Sequence, residues 1–203
     1  MGKIAPNILF RSSHPIKDNR QEKSISLLAA NAEIAAIINL CDTMSGIIGK
    51  SIYAPWYNKL FSKGQVIALG MDFSCSSPGF RKKLKEALQF LIHTGGPWLI
   101  HCHAGIDRTG FVSMVLESFM GASLDEIIND YLLSFNSIFK SSVNNSTQKT
   151  DEDTAMQILS LMSDSQAINA QNLQHIAENY LRSKVGLSAQ EVKLLKEKLS
   201  QGI

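Results

Sequence analysis

Cysteine is scarce in this chain: Cys41, Cys75 and Cys102 are the whole set. An odd, sparse number with no CxxC pair is neither a disulfide framework nor a zinc-ribbon pattern, and it suits a reducing compartment. Long apolar runs are also lacking. None approaches the roughly 20 residues needed to cross a bilayer. The opening "MGKIAPNILF" has no signal-peptide apolar core. The expectation is a soluble, cytoplasmic chain without an integral membrane segment. One-sided charge is missing too. With 20 basic and 18 acidic residues the formal net charge is +2. That balance excludes a dedicated nucleic-acid binder, which would carry a concentrated basic face, but it leaves room for a local anion pocket. No internal repeat or linker is evident.

What is present is enough apolar residue, 44% of 203, to bury a real core. "NILF" at 7–10 reads as a first strand, and 21–31 permits a helix. "IAAIINL" at 34–40 is a continuous apolar run rich in β-branched residues, the mark of a buried strand. "QVIALG" at 65–70 and "WLIHC" at 98–102 read the same way. After Pro78-Gly79, "FRKKLKEALQFLIHT" sets Phe80, Leu84, Leu88 and Leu91 at helical spacing, with Lys82 and Lys83 on a solvated face. From Thr109 an apolar helix runs to Gly121. Alternation of strand and helix predicts an α/β fold: a mostly parallel sheet of four or five strands flanked by helices. The second half reads as helical. Ser123 with Glu126 and Ser188 with Glu191 are capping-box pairs. Residues 141–150 read as a polar loop, and helices are expected near 167–183 and 188–200. The whole chain, 1–203, is expected to form one domain, with a core of about 5–140 and a helical part of about 151–203.

The most informative stretch is "HCHAGIDRTG" at 101–110. A strand enters at Cys102 and a helix leaves near Thr109. Unpaired N–H groups and the positive end of the helix dipole make such a turn an anion cradle. Gly105 lets the backbone curve so that its amides converge, and Gly110 permits close helix packing. Arg108 offers a planar fork that can take two oxygens of a phosphoryl group. A sulfur at the base of the cradle sits in positive potential, which favours the thiolate. His101 and His103 alternate along the chain, but a metal centre needs three or four convergent ligands and no second His/Cys cluster is evident. No metal or cofactor is expected.

Cys102, five residues, then Arg108-Thr109, preceded by His101, resembles the C-x5-R-[ST] signature of the protein tyrosine phosphatase superfamily. "HCHAGIDRTG" is similar to the HC-x-AGKDRTG loop of a bacterial tyrosine/serine phosphatase branch with phosphoinositide-active and secreted members. "LFRSSHP", "IINDYLLSF" and "ENYLRSKVGLSAQEVKLLKEKL" fit that branch as well. The resemblance implies a dual-specificity-like phosphatase. Cys102 is its nucleophile, and Arg108 with the amides of His103, Ala104, Gly105, Ile106 and Asp107 holds the phosphoryl oxygens. Thr109 assists the departing sulfur, His101 orients the loop, and Arg11 and Ser12 support it. Asp72, thirty residues before Cys102, is the favoured general acid. Asp107 inside the loop is the second candidate, with a structural role as its alternative. Cys75 reads as a loop thiol. The implied partners are phosphorylated proteins, phospholipids or inositol phosphates, with inhibition by phosphate analogues, and delivery into a host cell is compatible with the branch. Ile106 replaces the branch's lysine, which counts against phosphoinositides. Two other readings stay open: a catalytically weak phospholigand-binding module, and sulfur transfer on a rhodanese-like loop.

Overall fold

The computed structural model describes residues 4–16, 20–51, 54–139, 145–164 and 166–201. Four strands form one sheet: β1 (Leu9–Ser12), β2 (Ala36–Asn39), β3 (Val66–Ala68) and β4 (Trp98–His101), in the order β1-β4-β2-β3. Every pairing is parallel. The expected α/β sheet is therefore present, with every strand end that carries chemistry on the same edge. Side chains alternate across it. Ile37 and Leu99 enter one apolar core, while Ala36, Ile38, Trp98 and Ile100 enter the other. Burial on both faces explains why these strands read as unbroken apolar runs.

Helices α1 (Arg20–Asn31), α2 (Met44–Ser51) and α3 (Pro55–Ser62) come before β3. Ala29, Ile47 and Tyr57 of these helices belong to the smaller core. The larger core takes α4 (Pro78–His93), α5 (Asp107–Phe119) and α6 (Leu124–Phe139). It also takes α7 (Asn145–Ser160), α8 (Leu173–Asn179) and α9 (Ala189–Ser200), which bury Leu159, Leu173, Ile176, Leu195 and Leu199 in the same core as Phe111. Helix α5 is the hub, buried at every residue from Arg108 to Phe119. Ser77 caps α4 by accepting from the Phe80 N–H at 3.0 Å. The Ser188–Glu191 capping box forms as expected. So does Ser123–Glu126, where Glu126 accepts from the Ser123 N–H at 2.8 Å and Ser123 Oγ accepts from the Glu126 N–H at 3.3 Å.

Several expectations need correction. Strand β1 starts at Leu9, because Asn7 takes a left-handed φ of 59°. The loop expected over 141–150 gives way to helix from Asn145, and 141–144 lie outside the described residues. The helix expected over 167–183 begins only at Leu173. Before it, Asn169 and Asn172 turn their side chains onto nearby backbone: Asn172 Oδ1 accepts from the Asn169 N–H and Asn172 Nδ2 donates to the Ala167 carbonyl, both at 2.9 Å. After it, Tyr180–Lys184 widens into a π-helical turn. Lys83 is not simply solvated, since its Nζ donates to the Gly70 carbonyl at 2.6 Å.

Candidate active site

Residues 102–106 form the turn between β4 and α5 at the carboxyl edge of the sheet. Cys102 is fully buried at its base. The Gly105 N–H donates to Cys102 Sγ at 3.2 Å, so at least one loop amide is aimed at the sulfur. This curvature requires glycine. Gly105 has φ +77°, and a Cβ there would stand 2.6 Å from the Ser12 carbonyl oxygen. At Gly110 a Cβ would meet the Tyr131 ring at 3.0 Å, which is the close packing expected of that position.

Arg108 is buried beneath the 71–73 segment. Its Nη1 donates to the Met71 carbonyl at 2.8 Å, and its guanidinium lies 4.2 Å from the centre of the Phe73 ring. Arg108 Nε and Thr109 Oγ1 are buried with no hydrogen-bond partner among the described residues. Unpaired buried donors call for an explanation beyond the packing of the fold. The turn and the start of α5 offer a backbone N–H, a guanidinium and a hydroxyl as polar groups.

The first strand braces this cradle from outside. Arg11 Nη2 donates to the Gly105 carbonyl at 3.1 Å, while its Nη1 pairs with Asp130 of α6. The His14 N–H donates to the His103 carbonyl at 3.1 Å. Ser12 lies in register with His101. Its carbonyl is the surface against which Gly105 packs. Asp130 completes the support of Arg11, a partner the sequence did not single out.

Both candidate carboxylates are exposed. Asp72 is exposed in the 69–77 loop, and its Oδ1 accepts from the Ser74 N–H at 2.9 Å. It immediately follows the Met71 carbonyl held by Arg108. Asp107 is exposed at the first residue of α5, where a negative charge suits the helix dipole. Cys75 is buried nearby. Burial first, then the charge of Asp107, push its thiol up to about 12. His103 is exposed, Ala104 is half-buried, and Ile106 is turned into the main core. The residue that replaces a lysine therefore faces apolar neighbours.

A buried polar network lies behind the loop. His14 Nε2 meets Asp42 Oδ2 at 2.6 Å, Lys50 Nζ donates to Asp42 Oδ1 at 2.6 Å, and Asn39 Nδ2 donates to Asp42 Oδ2 at 3.0 Å. Burial alone would raise the Asp42 carboxyl. The hydrogen bonds from His14, Lys50 and Asn39 outweigh it and hold Asp42 far below the usual carboxylate range. His101 Nε2 meets the Tyr57 hydroxyl at 3.3 Å. Burial pushes His101 down to about 3, so its ring is neutral. These partners escaped sequence reading because they are joined only through tertiary contact. The available signal was polar residues directly after buried strands, "SSHP" after β1 and "NLCD" around the end of β2.

A family model described as "Tyrosine phosphatase family" matches residues 71–201. No curated protein sequence matches the chain. Among solved structures, the core catalytic domain of the PP-IP phosphatase SIW14 from S. cerevisiae, in complex with citrate, matches at 21% identity and a TM-score of 0.45. That match covers 88% of this chain and 91% of that one. The likeness is too loose to carry a substrate across.

Proposed function

The chain belongs to the tyrosine phosphatase family, and on that premise we propose that residues 1–203 act as one phosphatase domain hydrolysing phosphotyrosine in proteins, and phosphoserine or phosphothreonine more slowly. One observation carries the reading: a buried sulfur receives a loop N–H, and six and seven residues on a guanidinium Nε and a hydroxyl are buried with no partner among the described residues. The Cys102 thiolate attacks phosphorus. The S–P bond forms as the bond to the leaving oxygen breaks. Arg108 and the amides of 103–108 take the charge that spreads over the equatorial oxygens. Asp72 protonates the departing oxygen. Water then attacks the cysteinyl-phosphate, Asp72 accepts its proton, and the Thr109 hydroxyl stabilises the released sulfur.

Arg11, Ser12 and His101 act by position. The exposed Phe73 ring beside Arg108 supports an aromatic phosphoester, since it offers a flat apolar wall at the mouth of the cradle. The burial of Ile106 leaves that position without the cation that a polyphosphorylated head group would use. Cys102→Ser should abolish p-nitrophenyl phosphate turnover while vanadate binding persists. A serine variant as fast as wild type would sink the mechanism. Vanadate binding by wild type without turnover would leave only a phospholigand-binding module. Phosphotyrosyl peptides, phosphoseryl peptides, phosphoinositides and inositol phosphates run side by side test the substrate. A tenfold advantage of either inositol class over phosphotyrosyl peptide would overturn that assignment.

A further inference from the structure

Glu117 has no step in the reaction above, yet it is the only charged residue of α5 beyond Arg108. Helical spacing sets it on one face with Gly110 and Ser113, and the Arg11 side chain lies against that face. Arg11 Nη2 is 3.4 Å from where a Gly110 Cβ would stand, so the glycine leaves room for the guanidinium. Arg11, Ser113 and Glu117 line a cavity of about 10 Å³, room for about one water. Arg11 Nε and Glu117 Oε1 are both buried, with no hydrogen-bond partner among the described residues.

The other nitrogens of Arg11 are committed. Nη1 pairs with Asp130 of α6, and Nη2 donates to the Gly105 carbonyl. Gly105 in turn gives its N–H to Cys102 Sγ. Glu117 completes the cluster, since its carboxyl, while protonated, donates to Asp130. Among the described residues the charged groups facing Glu117 are Arg11 from β1 and Asp130 from α6, and the apolar Ile4, Leu9 and Ile100 line the same cavity. Burial first, then Asp130, raise the carboxyl to about 8, against the opposing pull of Arg11. One proton thus serves two carboxyl groups beside one guanidinium. Once that proton has gone to solvent, two negative charges share a single cation.

We propose that Glu117 is a positioning residue for the phosphate-binding loop. Protonated, it leaves Arg11 shared between Asp130 and the Gly105 carbonyl. Ionised, it draws the guanidinium inward through Nε and off that carbonyl, which slackens the loop's hold on a phosphoryl group. The inference rests on the phosphatase reading of the loop, and it assigns to the middle of α5 a control over the turn that precedes it.

Full-length Cys102→Ser protein, which lacks the titrating nucleophile, is titrated calorimetrically with tungstate at pH 7, 8 and 9 and constant ionic strength. Tungstate keeps its charge across that range. Cys41 and Cys75 are pushed up to about 12 and His101 down to about 3, so none of them changes charge there. Affinity should fall at least about fivefold from pH 7 to 9, the worth of one hydrogen bond, with one site per chain throughout. Adding Glu117→Gln, which keeps the shape and stays neutral, should hold the change below about twofold. Adding Arg11→Lys, which cannot span Asp130 and the Gly105 carbonyl together, should weaken binding at pH 7 at least about fivefold. Equal pH responses with glutamate and with glutamine overturn the inference, and so does an affinity untouched by Arg11→Lys. A falling number of sites at constant affinity also overturns it, since unfolding and not loop position would then be at work. No tungstate binding at pH 7 overturns the phosphatase reading itself, and this inference with it.

Discussion

Replacing Glu117 with glutamine should abolish much of this protein's loss of stability toward alkaline pH. Glu117 sits in the buried face of α5 at 2% exposure, and its Oε1 has no hydrogen-bond partner among the described residues. Burial first, and the neighbouring Asp130 charge second, raise its carboxyl from 4.5 to about 8, with Arg11 offsetting part of the rise. Below pH 4.5 folded and unfolded chains both hold the proton, and the protein keeps the full benefit of a neutral buried acid. Between 4.5 and 8 the unfolded chain has released the proton while the fold retains it, so each rise in pH favours unfolding. Above 8 the loss is complete. At about 1.4 kcal/mol per tenfold change in proton affinity, the interval corresponds to about 5 kcal/mol. Urea unfolding of wild type and Glu117→Gln at pH 5, 7 and 9 reads this directly. The two chains should differ by about 1 kcal/mol at pH 5, the order of one hydrogen bond. By pH 9 the glutamine substitution should be ahead by several kcal/mol. Parallel stability curves across that range would refute the reasoning, because they would mean that Glu117 titrates normally in the fold.

Gly105→Ala should cut turnover of p-nitrophenyl phosphate by at least about 100-fold, since a Cβ 2.6 Å from the Ser12 carbonyl forces the loop off the sulfur; steady-state kinetics with a thermal melt separate this from unfolding. Arg108→Lys should lower kcat by about 100 to 1000-fold with far-ultraviolet circular dichroism unchanged, because an ammonium cannot hold the Met71 carbonyl and two phosphoryl oxygens at once. Asp72→Asn should slow substrates with poor leaving groups far more than p-nitrophenyl phosphate, and Asp107→Asn should not; the reverse pattern in a leaving-group series would move the acid to Asp107. Ser188→Ala removes one half of a formed capping box and should destabilise the chain by about 1 kcal/mol in urea titration, leaving kcat unchanged.

How legible these features were depended on whether they are local. The loop could be read because six residues of spacing, a glycine and an adjoining apolar helix all lie in one ten-residue window. The central strands could be read because burial on both faces leaves an apolar run such as "IAAIINL". Helices α2, α3 and α7 were missed. Helix α2 carries Gly46 and Gly49 among β-branched residues, α3 is only eight residues long with Tyr57 as its one buried residue among those described, and α7 is polar enough that Ala155 and Leu159 are its only fully buried apolar residues among those described. The support of the site was hidden for a different reason. Arg11 meets Asp130 across 119 positions of sequence and His14 meets Asp42 across 28. Spacing cannot report such pairs, because only the tertiary fold brings helix α6 and the turn after β2 beside the end of β1. Ile106 shows the converse limit: its place in the motif was plain, but its burial followed from which way the turn rolls onto the core.

Helix α5 is walled in on every side from its second residue to its last. The turn that would perform the chemistry is the first stretch of chain to emerge from it, and so inherits the rigidity of the deepest part of the molecule. Local breathing has little to loosen there, and the amide protons of 110–119, which are bonded inside the buried helix, should exchange only when the entire fold opens. Substrate preference can then drift through the outer 69–77 segment while the anvil beneath it stays fixed.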